Sequence, residues 1–144
     1  MRIYLDNCCF NRPFDDQKQT RIRLETEAKL FIQNRIINSN LEFVWSYILE
    51  YENSVNPFRE RQRSIQLWRK HAVINISETD SIIQKAEEIT KNGVKSKDAL
   101  HIACSIYGSC DYFITTDDDI LNKIKNHDEI KIIDPINFVR NIVS

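Results

Sequence analysis

Short apolar runs alternate along the chain with longer stretches whose apolar residues recur every three or four positions. The first run, Ile3-Tyr4-Leu5, favours β structure and stops at Asp6, which reads as a buried strand with an acid at its tip. Residues 11–16 have loop composition, and a helix is predicted over 17–38 with Leu24, Ala28, Phe31 and Ile32 on one face. Arg21–Glu25, Arg23–Glu27 and Glu25–Lys29 then pair four apart on its outside. A second strand follows at 41–45, and Ser46 suits the cap of a helix carrying Glu50 and Glu52. Pro57 opens a helix over 58–70, with Phe58, Ile65, Trp68 and Ala72 as its apolar stripe. Strand three is 72–76. Ser77 or Thr79 starts a helix through 90, with Ile82, Ile83, Ala86 and Ile89 inward, and Asn92-Gly93 stops it. Ser96 opens a helix over 97–107 with Ala99, Ile102, Ala103 and Ile106 inward. Strand four at 112–115 precedes a short helix at 120–125, strand five at 130–133 and a last helix from Pro135 to about 143.

This alternation implies one α/β domain over 1–144: a three-layer arrangement with a five-stranded parallel sheet, strand one central, flanked by helices. Its 144 residues suffice for one core, and 42% hydrophobic with 28% charged residues is ordinary for a soluble globular chain. The balance of 20 basic against 21 acidic residues gives no global sign of a nucleic-acid binder, so the distribution of charge matters more. Cys8, Cys9, Cys104 and Cys110 form no C-x-x-C, and the adjacent pair is unsuited to a disulfide framework. Cys8 and Cys9 read as small buried packing groups. With no signal-peptide pattern and no run near ~18 apolar residues, the expected compartment is a reducing cytoplasm without membrane contact.

In parallel sheets ligands collect outside the carboxyl ends of the strands. Asp6 ends strand one, Asp117 follows strand four, Asp98 sits in the first turn of its helix, and Glu50 or Glu52 comes from the helix after strand two. These can converge at one edge. Asp117 alone also suits a helix N-cap and Asp98 a helix-dipole aspartate, whereas a charge directly after a central strand resists a purely structural role. Crowded carboxylates repel unless a hard cation such as Mg²⁺ or Mn²⁺ joins them. His71, His101 and His127 fit no zinc spacing.

Ile3-Tyr4-Leu5-Asp6-Asn7, Lys97-Asp98-Ala99-Leu100-His101-Ile102-Ala103 and Phe113-Ile114-Thr115-Thr116-Asp117 together resemble the three sequence blocks of the PIN-domain family, over essentially the whole chain. The resemblance implies a Mg²⁺- or Mn²⁺-dependent endoribonuclease with Asp6, Asp98 and Asp117 as catalytic and metal-holding acids. Counting six from Ser46 makes Glu52 the fourth acid, with Glu50 as the off-register alternative; residues two apart on a helix face opposite sides. Asn7 stands where many relatives carry Thr or Ser, and it joins Thr115 and Thr116 as an auxiliary group. The resemblance also implies a small antitoxin partner for a toxin role, and it is compatible with a homodimer.

An RNA substrate needs cations on its phosphates. Arg59, Arg63 and Lys70, with Arg61 and Arg69 nearby, form one basic face, and Arg12, Lys18, Arg21 and Arg23 lie near the loop after Asp6. A solvated helix face explains such a cluster equally well. Tyr47, Tyr51 and Trp68 could stack bases, although Trp68 better suits the core. Alternatives are a non-catalytic RNA- or protein-binding module of the same fold, or a Mg²⁺-dependent receiver- or phosphatase-like domain. The phosphatase pattern needs a second aspartate where Cys8 stands, and Lys131 is poorly placed for a receiver lysine.

Overall fold

The computed structural model describes residues 1–124 and 127–143. Five strands, β1 (Arg2–Leu5), β2 (Glu42–Ser46), β3 (Ile74–Ile76), β4 (Tyr112–Ile114) and β5 (Lys131–Ile133), form one sheet in the order β3-β2-β1-β4-β5. All pairings are parallel. β1 is thus central, as its uninterrupted apolar run predicts, and Ile3, Tyr4 and Leu5 are fully buried.

Alternation along the strands assigns the two faces. Ile3 lies in register with Phe43 and Tyr112. Their face meets Phe10 of α1 (Asn7–Asn11) and Phe138 of α8 (Pro135–Phe138), with α2 (Thr20–Ile37) packed on both helices. Tyr4, Phe113 and Val44 point the other way, toward α6 (Ser96–Tyr107), which packs against α5 (Asp80–Thr90). Gly108 ends α6 so close to β2 and β3 that a Cβ there would meet Ile76 Cδ1 at 2.9 Å. Between α5 and α6 the chain turns through Gly93 at φ +92°, a conformation that favours glycine.

Capping sets where helices leave the sheet. Ser46 ends β2 and its Oγ accepts from the Leu49 N–H at 3.2 Å, starting α3 (Tyr47–Ser54). Thr79, not Ser77, caps α5 in the same way. Asp117 caps α7 (Asp118–Lys123), and Asp134 caps α8 ahead of Pro135. Ser96 is the first residue of α6 rather than its cap; Lys95 holds that position without a side-chain bond. The short helix begins two residues earlier than the apolar pattern suggests, and Lys125, its expected end, lies outside the described residues. Helical geometry after Phe138 changes to a π turn over Val139–Val143.

Other differences have packing causes. Part of the expected loop after Asp6 is helical, because Asp6 itself caps α1 through the Asn7 N–H. On α2, Ala28 and Ile32 are buried, but Leu24 and Phe31 are 45% and 38% exposed. Glu25 and Lys29 point inward instead of outward, so of the three expected surface pairs only Arg21–Glu25 forms among the described residues. Glu25 is compensated by Arg12 and Arg21, while the Lys29 ammonium lies over the Phe10 and Trp68 rings, 5.4 and 5.1 Å from their centroids. Burial pushes the Lys29 pKa down to about 8. The helix expected over 58–70 is α-helical only as α4 (Arg59–Gln66), then tightens into a 3₁₀ segment, Leu67–His71. Phe58 precedes it, exposed, while Trp68 packs edge-on against Phe43.

Candidate active site

Four sequence-predicted acids arrive at the carboxyl end of the sheet. Asp6 follows β1, Glu52 comes from α3 after β2, Asp117 follows β4, and Asp98 occupies the first turn of α6, which runs back from that edge. Asp6 is the most firmly held. Its backbone N–H donates to the Ile114 carbonyl at 2.9 Å, and its carboxylate accepts from Asn7 N at 2.8 Å and Thr115 Oγ1 at 2.8 Å. Thr115 Oγ1 in turn accepts from the Asp117 N–H at 3.0 Å, coupling the two acids through one buried hydroxyl. Thr116 is buried beside them; its N–H meets Cys8 Sγ at 3.4 Å. Cys8 is therefore half-buried within the site, 3.5 Å from Asp6 Oδ2, rather than a core packing group; Cys9 is buried as expected.

His101 is the residue that motif reading misses. It is buried, with Nδ1 2.6 Å from Tyr4 Oη and Nε2 hydrogen-bonded to Glu52, while Nε2 also stands 3.9 Å from Asp6 Oδ1. Tyr4 Oη contacts Ser46 Oγ at 2.6 Å, so a buried polar chain runs from the cap of α3 to the Glu52 carboxylate. Burial favours a neutral ring, but the bond to Glu52 and the charges of Asp6, Glu52 and Asp98 raise the His101 pKa. Burial likewise works against Glu52 ionising, yet His101, Lys97 and the Asn7 amide hold its carboxyl below the ordinary value. An imidazolium donates from Nε2 to Glu52 and from Nδ1 to Tyr4, whose hydroxyl proton then goes to Ser46. The spacing that exposes this is Tyr4 on β1 against a histidine three residues into α6 from Asp98, which no zinc pattern detects.

Glu52 faces this cluster, also accepting from Asn7 Nδ2 at 3.3 Å. Glu50 turns away to Trp45 Nε1, Gln66 and Arg69. The Asp98 carboxylate accepts no hydrogen bond among the described residues. Its carboxyl is pushed up to about 6 by burial and by the negative charges of Asp6 and Asp117, with Glu52 adding to them and His101 opposing. Among the described residues no three Asp, Glu, His or Cys side chains stand in a chelating arrangement as placed. In chemistry the set nevertheless fits a hard cation: its acids offer only oxygen, and Asp98 carries the repulsion that a cation would relieve.

The basic residues divide. Arg59, Arg63 and Lys70 are exposed and make no side-chain ion pair among the described residues. Arg12 bonds Asp15 and Glu25, both at 2.9 Å, and Arg21 clamps both oxygens of Asp118 at 2.8 Å while reaching the Thr116 carbonyl. These two tie α2 to the loops around the acids. No described helix is long and apolar enough to cross a membrane.

A family model for the PIN domain matches residues 3–126. No curated protein matches. One chain of the crystal structure of VapBC2 from Rickettsia felis, bound to a DNA fragment from their promoter, is similar with a TM-score of 0.57 at 13% identity. The match covers 93% of this chain and 98% of that one, and at this identity it is a likeness of fold. PIN domains are generally nucleases and typically depend on a divalent metal. The family match spans most of the sequence, and the chain belongs to the PIN-domain family.

Proposed function

We propose that this chain is a Mg²⁺- or Mn²⁺-dependent endoribonuclease that hydrolyses phosphodiester bonds of RNA, and that it serves as the toxin of a toxin–antitoxin pair in the cytoplasm. The observation that carries the reading is the arrival of Asp6, Glu52, Asp98 and Asp117 from β1, α3, α6 and the turn after β4 at the ligand end of one parallel sheet. Asp6, Asp98, Asp117 and Glu52 would hold the metal. When bound, such an ion polarises phosphate oxygens and acidifies water. The chain's own groups supply position: Thr115 and the Asn7 N–H hold the Asp6 carboxylate, His101 holds Glu52, and the Asn7 amide would orient a water. Arg59, Arg63 and Lys70 would take RNA phosphates. Arg12 is a weaker candidate because Glu25 and Asp15 already engage it.

The same acidic cleft suits a partner protein that covers it, and the shared fold with a VapBC2 chain supports such a partner here. The decisive measurement is cleavage of generic single-stranded RNA with Mg²⁺ or Mn²⁺ and with EDTA. Metal-dependent scission that EDTA stops is expected, and its absence in the parent protein overturns the reading. Reversing Arg59 and Arg63 together should lower the slope of log affinity against log salt by about 0.7 per lost phosphate contact. The partner is tested by asking whether the product of the adjacent gene inhibits that cleavage.

A further inference from the structure

Directly beside the acids lies a cleft of about 220 Å³ whose wall includes Asn7 and Glu52. Its remaining lining is unlike the acidic cluster: the Asn11 and Asn56 amides and the Arg61 guanidinium on one hand, and Val55, Pro57 and the Phe58 ring on the other. Phe58, between α3 and α4, is 57% exposed. Its ring is nonetheless fixed. The Arg61 guanidinium lies 4.6 Å from the Phe58 centroid and 5.6 Å from that of Phe14, and is itself anchored by Asp15 at 3.2 Å and the Phe14 carbonyl at 2.9 Å. A large apolar surface is thus held open to water next to a reaction centre.

Of the amides around it, Asn11 Nδ2 is held by the Asn7 carbonyl at 3.0 Å and Asn56 Oδ1 accepts from the Phe58 N–H at 3.1 Å, but their other contacts are long. Asn11 Oδ1 receives long contacts of 3.4 Å from both Asn56 Nδ2 and Arg61, and Asn7 Nδ2 reaches Glu52 at 3.3 Å. Bonds this long are weak, and the Asn7 and Asn56 NH₂ groups each retain a second proton. An apolar peptide side chain entering here would leave the remaining Asn7 and Asn56 NH₂ protons without partners, a penalty for each buried group. An unpaired nucleobase satisfies both halves, with a π face for the ring and N and O edges for the amides. Bases within a duplex present no such free face.

We propose that this cleft receives one unpaired nucleobase of a single-stranded RNA, next to the scissile phosphate, stacked on Phe58 and read along its edge by Asn11 and Asn56. The assignment rests on the ribonuclease reading above. Its test uses a short RNA that the parent protein cleaves, with each base near the cleaved bond replaced in turn by an abasic ribose. One abasic position should raise KM about tenfold, within the range a single base–aromatic stack supports. Phe58→Ala should raise KM by a similar factor on intact RNA and become indifferent to that position, while Phe58→Trp restores both behaviours. Unchanged melting confirms that the exposed ring is not needed for folding. An unchanged KM in Phe58→Ala, additive effects of the two changes, or an effect confined to binding of a partner protein overturns the pocket and leaves the nuclease standing. A parent that cleaves no RNA removes both.

Discussion

At the amino end of the sheet, Arg2 pairs with Glu42 at 3.3 Å, its N–H donates to Asp111 at 2.9 Å, and its guanidinium caps the Gly108 carbonyl at 2.8 Å. Charge there is matched locally across β1, β2, β4 and the end of α6. At the carboxyl end of the same strands, Asp6, Asp98 and Asp117 gather while the buried His101 beside them is bonded to Glu52. One end uses charge to hold the fold together. The other crowds acids together where parallel strands leave ligands room, even though Asp6 and Asp117 also cap helices there.

The largest effect should come from weakening the acidic end. Asp6→Asn should reduce RNA cleavage by more than about 100-fold, beyond what loss of a group supporting a metal ligand produces. The melting temperature in EDTA should hold or rise, since one repelling charge is gone. Glu52→Gln should resemble it in cleavage, whereas Glu50→Gln should do little because that side chain serves Trp45, Gln66 and Arg69. A dead Glu50→Gln would reassign the fourth acid.

His101→Gln sharpens the contrast next. Titration calorimetry with Mn²⁺ should show a loss of about 10- to 100-fold in affinity, typical of a group that orients a ligand. Equal affinity in parent and variant would make the Tyr4–His101 chain purely structural.

Asp98 predicts a pH signature confined to one end. Its carboxyl titrates near 6 in the fold against 3.8 ordinarily, so between those values the folded state keeps the extra proton. Stability therefore falls as pH rises through that window, by roughly 1–2 kcal/mol after allowance for partial exposure. Melting of Asp98→Asn against parent in EDTA should show the variant's relative advantage opening between about pH 4 and 6. A gap independent of pH would mean that Asp98 is not under pressure. The smallest effect belongs to the amino end: Glu42→Gln, in a partly exposed pair, should cost under about 1 kcal/mol and leave cleavage untouched.

Much of this contrast is legible in the order of residues alone. Ile3-Tyr4-Leu5 has one sensible fate, a strand buried on both faces, and an acid placed directly after it must lie at the strand's tip. The order β3-β2-β1-β4-β5 agrees with the alternation of short apolar runs and amphipathic helices, and Ser46 marks its helix start by hydrogen-bond chemistry alone. The six-residue count from Ser46 also brings Glu52 and not Glu50 to the cluster, since side chains two apart on a helix diverge.

Local pattern determines local geometry and the edge at which each acid emerges. It cannot reveal that Glu25 and Lys29 turn inward, because their partners Arg12, Phe10 and Trp68 come from elsewhere in the chain. Nor can it single out His101, whose role depends on Tyr4 and Glu52, 97 and 49 residues away in sequence. Phe58 reads as the start of a core stripe, and only the placement of Arg61 between it and Phe14 sets it at the mouth of the cleft. Periodicity records which way a residue points along its own helix or strand. The neighbours that compensate a charge or expose a ring are supplied by tertiary packing, and there the sequence by itself is silent.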